Sequence, residues 1–128
     1  MIVDRSLLQT SEYEAPLSNI YSLLYRLGAE ATSLSFFYTS YAVLLSFHQP
    51  ERLTLMTKWL YPDVARHYDT SCCAVERGVR RVIVRIWEKN PQELDLLVGK
   101  HLIEKPTPAE FLSILTDAVL CGAGAPEF

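Results

Sequence analysis

The sequence predicts an all-α domain of six or seven helices that include a helix-turn-helix. Apolar residues recur at steps of three and four along nearly the whole chain, and no stretch alternates as a half-buried strand would. Proline, glycine and short runs of Asp, Ser and Thr interrupt this pattern where helices begin or end. At 128 residues the chain has the length of one domain and is long enough to bury a single core.

Three helices are expected in the first half of the chain. Apolar residues at helical spacing run from Leu17 to Leu27, and Gly28 follows as a helix stop. A second helix is expected over Leu34 to Phe47, because the Gln49-Pro50 pair disfavours its continuation. A third is expected from about Glu51 to Trp59.

The second half begins with a short helix, a turn and a long helix. Pro62 suits the first turn of a helix in YPDVARHY, where a missing N–H costs nothing. The next residues, Asp69-Thr70-Ser71, favour turns and N-caps, and the longest helix is expected from about Ser71 to Lys89. Asn90-Pro91 then begins a short helix, PQELDLLV, that Gly99 stops.

The last helix has the clearest start in the chain. Thr107 to Glu110 form a capping box with proline at the first helical position, leading into FLSILTDAVL. The helix-turn-helix domain is therefore expected over residues 16–120. It lies between a lead of residues 1–15 that is expected to be flexible and a tail of residues 121–128 that is expected to be frayed.

Composition indicates a cytoplasmic globular protein. Apolar residues make up 49% of the chain and charged residues 21%, which argues against disorder. Three cysteines, two of them adjacent, give no disulfide framework, and the amino terminus lacks the apolar core of a signal peptide. The uncharged residues 31–50 hold too many polar side chains for a membrane span, which needs about 20 predominantly apolar residues. A buried helix is the better interpretation, and no membrane partner is expected.

A helical wheel of the long helix separates an apolar stripe from a basic face. The stripe consists of Val75, Val79, Val82 and Ile86, with Cys72, Gly78 and Ile83 at its edges. The opposite arc carries Cys73, Ala74, Glu76, Arg77, Arg80, Arg81, Val84 and Arg85. Residues 66–89 hold six Lys/Arg against three Asp/Glu, whereas the rest of the chain holds six against twelve. Positive charge is thus concentrated on this helix, although a charged helix face is often merely solvated.

The order of short helix, turn and long helix favours DNA binding over a merely solvated helix face. In a helix-turn-helix, the second helix enters the major groove and its first residues meet the base edges. Small side chains at Cys73 and Ala74 permit close approach to DNA. Arg77, Arg80 and Arg81 can then reach guanine edges or phosphates, because the guanidinium fork matches both.

The residues of this region resemble a known family. The run KWLYPDVARHYDTSCCAVERGVRRVIVRIW is similar to the C-terminal effector domain of stage zero sporulation protein A, in its LYPDVA, its DTS turn, its VERGVRR and its Trp87. Downstream, KPTPAEF matches the start of the family's last helix. The resemblance covers about residues 17 to 119. It implies a sequence-specific transcriptional regulator of sporulation initiation. Its implied partners are promoter DNA, a second copy as a homodimer or tandem pair on that DNA, and RNA polymerase.

Carried over by position, the resemblance implies a set of DNA contacts. Glu76, Arg77 and Arg80 correspond to the family's contacting residues, and Arg81 stands where the family usually has histidine. The turn residues Thr70 and Ser71 would approach the DNA backbone.

Several departures from the family pattern bear on recognition. Ala74 replaces an arginine that the family places at a base-reading position, and such a contact contributes about 1–3 kcal/mol of discrimination. Basic residues that precede the family's second helix are missing from ATSLSFF, and the segment from Gly99 to Lys105 is shorter than usual. No phosphorylatable receiver accompanies the domain in this sequence. A stand-alone relative and an isolated effector domain are both open, and the native-looking amino terminus favours the first.

Other functions have weaker support in the sequence. A zinc site needs four ligands, and His67, Cys72 and Cys73 offer no second pair, so no metal or cofactor is expected. The three histidines have no nucleophile motif or phosphate loop beside them, so no catalytic residue or enzymatic activity is expected. One alternative remains open. A helical protein–protein interaction module that kept the fold and lost specific DNA binding is favoured by the net charge of −3, by Ala74 and by the outward Val84.

Overall fold

A computed structural model describes residues 16–123, and within them the chain is helical without any strand. Its six α-helices are α1 (residues 16–27), α2 (Leu34–His48), α3 (Tyr61–His67), α4 (Cys72–Lys89), α5 (Pro91–Val98) and α6 (Pro108–Leu120). The all-α prediction is confirmed. The predicted flexible lead, residues 1–15, and residues 124–128 of the predicted tail lie outside the described residues.

Local sequence signals end and begin these helices as expected. Gly28 and Gly99 follow α1 and α5 with φ values of 109° and 87°, in the left-handed region that glycine adopts without strain. At the start of α2, the hydroxyl of Ser33 accepts a hydrogen bond from the N–H of Phe36. At the start of α6, Thr107 and Glu110 bond reciprocally as a capping box.

The prediction of one regular helix from about Glu51 to Trp59 is wrong. A 3₁₀ turn, Pro50–Thr54, and a π-helical turn, Met56–Leu60, occupy this stretch, and Leu55 between them has φ −134° and ψ 57°. Side chains compete with the helix here, since the Thr54 hydroxyl donates to the carbonyl of Glu51. Leu60 is the one fully buried residue of the two turns, so packing does not impose a regular helix.

The core lies between α1, α2, α4 and α6. α2 packs against both α4 and α6, and α4 also contacts α3 and α5. Gly78 permits the close approach of α2, because a Cβ at this position would lie 2.9 Å from the Tyr38 ring and 3.3 Å from the Cα of Ser35. The largest fully buried side chains are Phe36, Phe111, Ile20, Leu23, Leu24, Leu27, Leu60, Ile86, Leu94, Leu112, Leu115 and Val43.

Hydrogen bonds and an ion pair connect the C-terminal end of α1 to the C-terminal end of α4. The Arg85 guanidinium donates to the carbonyl of Gly28 at 3.2 Å and pairs with Glu30 at 3.1 Å. The Asn90 amide donates to the carbonyl of Leu27 at 3.0 Å. These bonds satisfy carbonyls that the end of a helix leaves without partners, and they fix the orientation of α4 in the fold.

Within residues 16–123, no helix is long and apolar enough to cross a membrane. In the same part of the chain, no three His, Cys, Asp or Glu side chains are grouped so that they could hold a metal ion.

Candidate nucleic-acid interface

A tight turn joins α3 to α4. The N–H of Thr70 bonds to the carbonyl of Ala65 at 2.9 Å, and Asp69 adopts a φ of 53°. Aspartate tolerates this left-handed conformation better than most residues. Ser71 is the N-cap of α4, and its hydroxyl accepts from the N–H of Ala74 at 3.1 Å. The turn therefore sets where α4 begins.

The two faces of α4 lie as the helical wheel predicts. The apolar stripe is buried along its whole length, from Val75 to Ile86. Arg77, Arg80 and Arg81 are exposed on the other side. Because the stripe anchors the helix in the core, the backbone of these three arginines is held in place by the fold.

The predicted DNA-contacting residues lie together along the turn and the first half of α4. Ser71 and Cys73 are exposed with the three arginines, whereas Thr70, Ala74 and Glu76 are half-buried. Glu76 and Arg80 form an ion pair along the helix at 3.2 Å. Arg77 and Arg81 make no ion pair with any residue of the described chain.

Two expectations about α4 need correction. The helical wheel predicts Cys72 at the core edge, yet it is exposed, because it is the first residue of α4 and burial of the stripe begins only at Val75. The helical wheel also predicts Arg85 on the exposed arc with the other arginines. It is half-buried and bonded to the end of α1, so three arginines, not four, form the open face.

Two features near the interface escaped the sequence analysis. Asp63 binds both Arg52 and Arg66, and it joins the turns before α3 to α3 itself. The spacing of Asp63 and Arg66 shows one of these pairs in the sequence, but the contact with Arg52 depends on the fold. Tyr61, the first residue of α3, is buried, and its burial raises the pKa of its hydroxyl to about 12, with the Glu76 carboxylate adding to the rise.

A short helix, a fixed turn and a long helix with one buried stripe and one basic face define a helix-turn-helix domain. The family follows from comparison with known proteins. The family model described as sporulation initiation factor Spo0A C terminal matches residues 20–119, and the chain belongs to this family. The resemblance of the LYPDVA and VERGVRR motifs is thereby confirmed. The matched range includes the turn, the whole of α4 and the capping box of α6.

Proposed function

We propose that this chain is a sequence-specific DNA-binding transcriptional regulator of the sporulation-initiation type, with α4 as the helix that enters the major groove. The observation that carries the proposal is the open face of α4, on which Arg77, Arg80 and Arg81 extend from a helix held by its opposite side. Membership of a family of DNA-binding effector domains supports it.

The position of each residue along α4 suggests its role. Arg77 lies one turn after the small residues Cys73 and Ala74, which let the helix approach base edges closely. Arg80 extends from the same face, and the planar fork of both side chains matches the two acceptors of guanine. Arg81 lies on the other side of Arg77 from Arg80, toward the start of α2, and is assigned to a phosphate.

The turn supplies the proposed contacts to the DNA backbone. The Ser71 hydroxyl accepts from the N–H of Ala74, which leaves its own proton available to a phosphate oxygen. Thr70 precedes it in the turn, with its backbone N–H already bonded to Ala65. Such contacts fix the register of a protein on DNA without reading its sequence.

The partners and location form part of the proposal. Promoter DNA is the proposed partner, and the site then requires a cytoplasmic location. RNA polymerase, and a second copy as a homodimer or tandem pair on the DNA, are supported by the family resemblance alone.

Selection of bound sites from random DNA tests the proposal. An enriched common sequence is expected, and binding to it should weaken steeply as salt rises, because each phosphate neutralised contributes about 0.9 to the slope of log affinity against log salt. Arg81→Ala should reduce that slope by about 1. The matched control is Lys105→Ala, which removes the same charge from the connection between α5 and α6 and should leave the slope unchanged.

The same experiment distinguishes DNA binding from the alternative function, a helical protein–protein interaction module. It is favoured by exposed apolar side chains on α5, α6 and their connection, namely Leu96, Ile103 and Leu120. If the chain enriches no sequence and binds no DNA at low salt, the DNA-binding proposal is wrong and the alternative is preferred.

A further inference from the structure

Tyr61 carries a buried hydroxyl without a hydrogen-bond partner. The residue is 4% exposed, and its hydroxyl oxygen meets no donor or acceptor among residues 16–123. Leaving a buried polar group unpaired destabilises the folded state, and native structures contain few such groups. The hydroxyl therefore calls for an explanation beyond the packing of its ring.

The charges of Glu76 and Arg80 act on this hydroxyl. Tyr61 begins α3, which packs directly on α4, where these two residues lie one turn apart. Burial is the main reason that the pKa of Tyr61 rises to about 12; the Glu76 carboxylate raises it further and Arg80 opposes the rise. The phenol is thus protonated at neutral pH and is able to donate a hydrogen bond.

In the free protein, Arg80 holds one oxygen of the Glu76 carboxylate, at 3.2 Å, and this ion pair is weak. The side chains of Glu76 and Arg80 are 46% and 60% exposed, and an exposed ion pair along a helix contributes little to stability. A phosphate or a guanine edge can therefore draw Arg80 away. Once Arg80 leaves, the Glu76 carboxylate loses the cation that holds it along the helix, and its side chain is free to turn toward Tyr61.

We propose that the Tyr61 hydroxyl donates a hydrogen bond to Glu76 when Arg80 engages DNA. One carboxylate oxygen is then held by Tyr61, while the other is free to accept from a base, as carboxylates do from the amino group of cytosine. Tyr61 is a positioning residue in this arrangement, since it acts on DNA through Glu76. The inference rests on the proposed function.

A first test needs no DNA. Arg80→Ala removes the partner of Glu76 in the free protein, so the Tyr61 hydroxyl should find its acceptor there. Tyr61→Phe is expected to leave the Tm unchanged or higher in the wild-type chain, because it removes an unpaired group, and to lower the Tm in the Arg80→Ala background. Replacing Glu76 with alanine in that background should abolish the difference. Equal effects of Tyr61→Phe in the two backgrounds would overturn the inference.

The second test uses the DNA sequence selected by the wild-type chain. Tyr61→Phe should weaken binding about tenfold, the scale of one hydrogen bond to a charged group. It should also relax the preference at one base pair, and neither effect should appear when Glu76 is already alanine. The control is Tyr68→Phe, which removes a hydroxyl that donates to the Phe37 carbonyl at 3.3 Å. That variant should lose stability and keep its DNA affinity.

The outcomes separate this inference from the proposed function. Wild-type binding that Tyr61→Phe leaves unchanged overturns the role of Tyr61 alone. Absence of any wild-type binding overturns the proposed function, and the role of Tyr61 with it.

Discussion

The two halves of α4 carry the same residue type and use it differently. In the first half, residues 72–81, three arginines extend outward, and within the described chain none of them bonds to another helix. In the second half, Arg85 bonds to the end of α1, and Asn90, just beyond the helix, does the same. The same buried apolar stripe runs through both halves. The halves therefore differ in whether another part of the chain lies within bonding distance of each arginine.

This difference shows that a count of positive charges overstates the open surface. Residues 66–89 hold six basic side chains, but Arg66 pairs with Asp63 and Arg85 with Glu30. The arginines of the first half are available to a partner, whereas Arg85 is part of the fold. Removing arginines from the first half should therefore affect binding, and disturbing the second half should affect stability.

The largest expected effect is on binding, from replacing both Arg77 and Arg80 with alanine. Loss of two base contacts, each contributing about 1–3 kcal/mol, should weaken binding to the selected DNA site by about 3 kcal/mol, or more than 100-fold. The free energy of unfolding should change by less than about 0.5 kcal/mol, since both side chains are exposed. Fluorescence anisotropy and urea unfolding measure the two quantities. A large loss of stability would show that these arginines support the fold.

Gly28→Ala should show the opposite pattern, a loss of stability without a direct effect on DNA binding. The residue has a φ of 109°, and an added Cβ would meet the Asn90 amide that holds the end of α1. Backbone strain and the lost hydrogen bond together should lower the free energy of unfolding by about 2 kcal/mol. The matched control is Gly99→Ala, which shares the positive φ but has open space around it, so its loss should be smaller. Equal losses would mean that the contact with Asn90 contributes nothing.

Ala74→Arg tests whether the first half of α4 reads the DNA sequence. The family resemblance places an arginine at this position, so the substitution should tighten binding to the family's usual element by about 1–2 kcal/mol. Cys73→Arg adds the same charge at the neighbouring exposed position and controls for electrostatic attraction alone. If both variants tighten binding equally, across all sequences, Ala74 does not explain any change in recognition.

Local signals made most of the fold predictable from the sequence. The capping box at Thr107 and the stop at Gly28 each depend on a few adjacent residues, and both are found as expected. The wheel of α4 identified the stripe because a helix fixes the angle of each side chain. It misplaced Cys72, since an angle does not say whether the core extends as far as the helix end.

Contacts between distant parts of the chain were not predictable in the same way. Arg85 bonds to a carbonyl 57 residues away, and nothing in the local pattern distinguishes it from Arg81. The missing partner of the Tyr61 hydroxyl depends likewise on how α3 packs against α4. The break at Leu55 reflects competition between short-range hydrogen bonds and a weak apolar pattern, which spacing alone does not resolve.

The comparison of Arg85→Ala with Arg81→Ala has the smallest expected effects and tests the division of α4 most directly. Arg85→Ala removes a partly buried hydrogen bond and a more exposed ion pair, so it should lower the free energy of unfolding by about 1 kcal/mol. Arg81→Ala should leave stability within about 0.5 kcal/mol and reduce the salt dependence of DNA binding. Glu30→Ala should reproduce part of the stability loss of Arg85→Ala and add little to it in the double variant, because the two side chains share one contact. If Arg81 and Arg85 behaved alike in both measurements, α4 would be one continuous basic face, and the distinction between its two halves would be wrong.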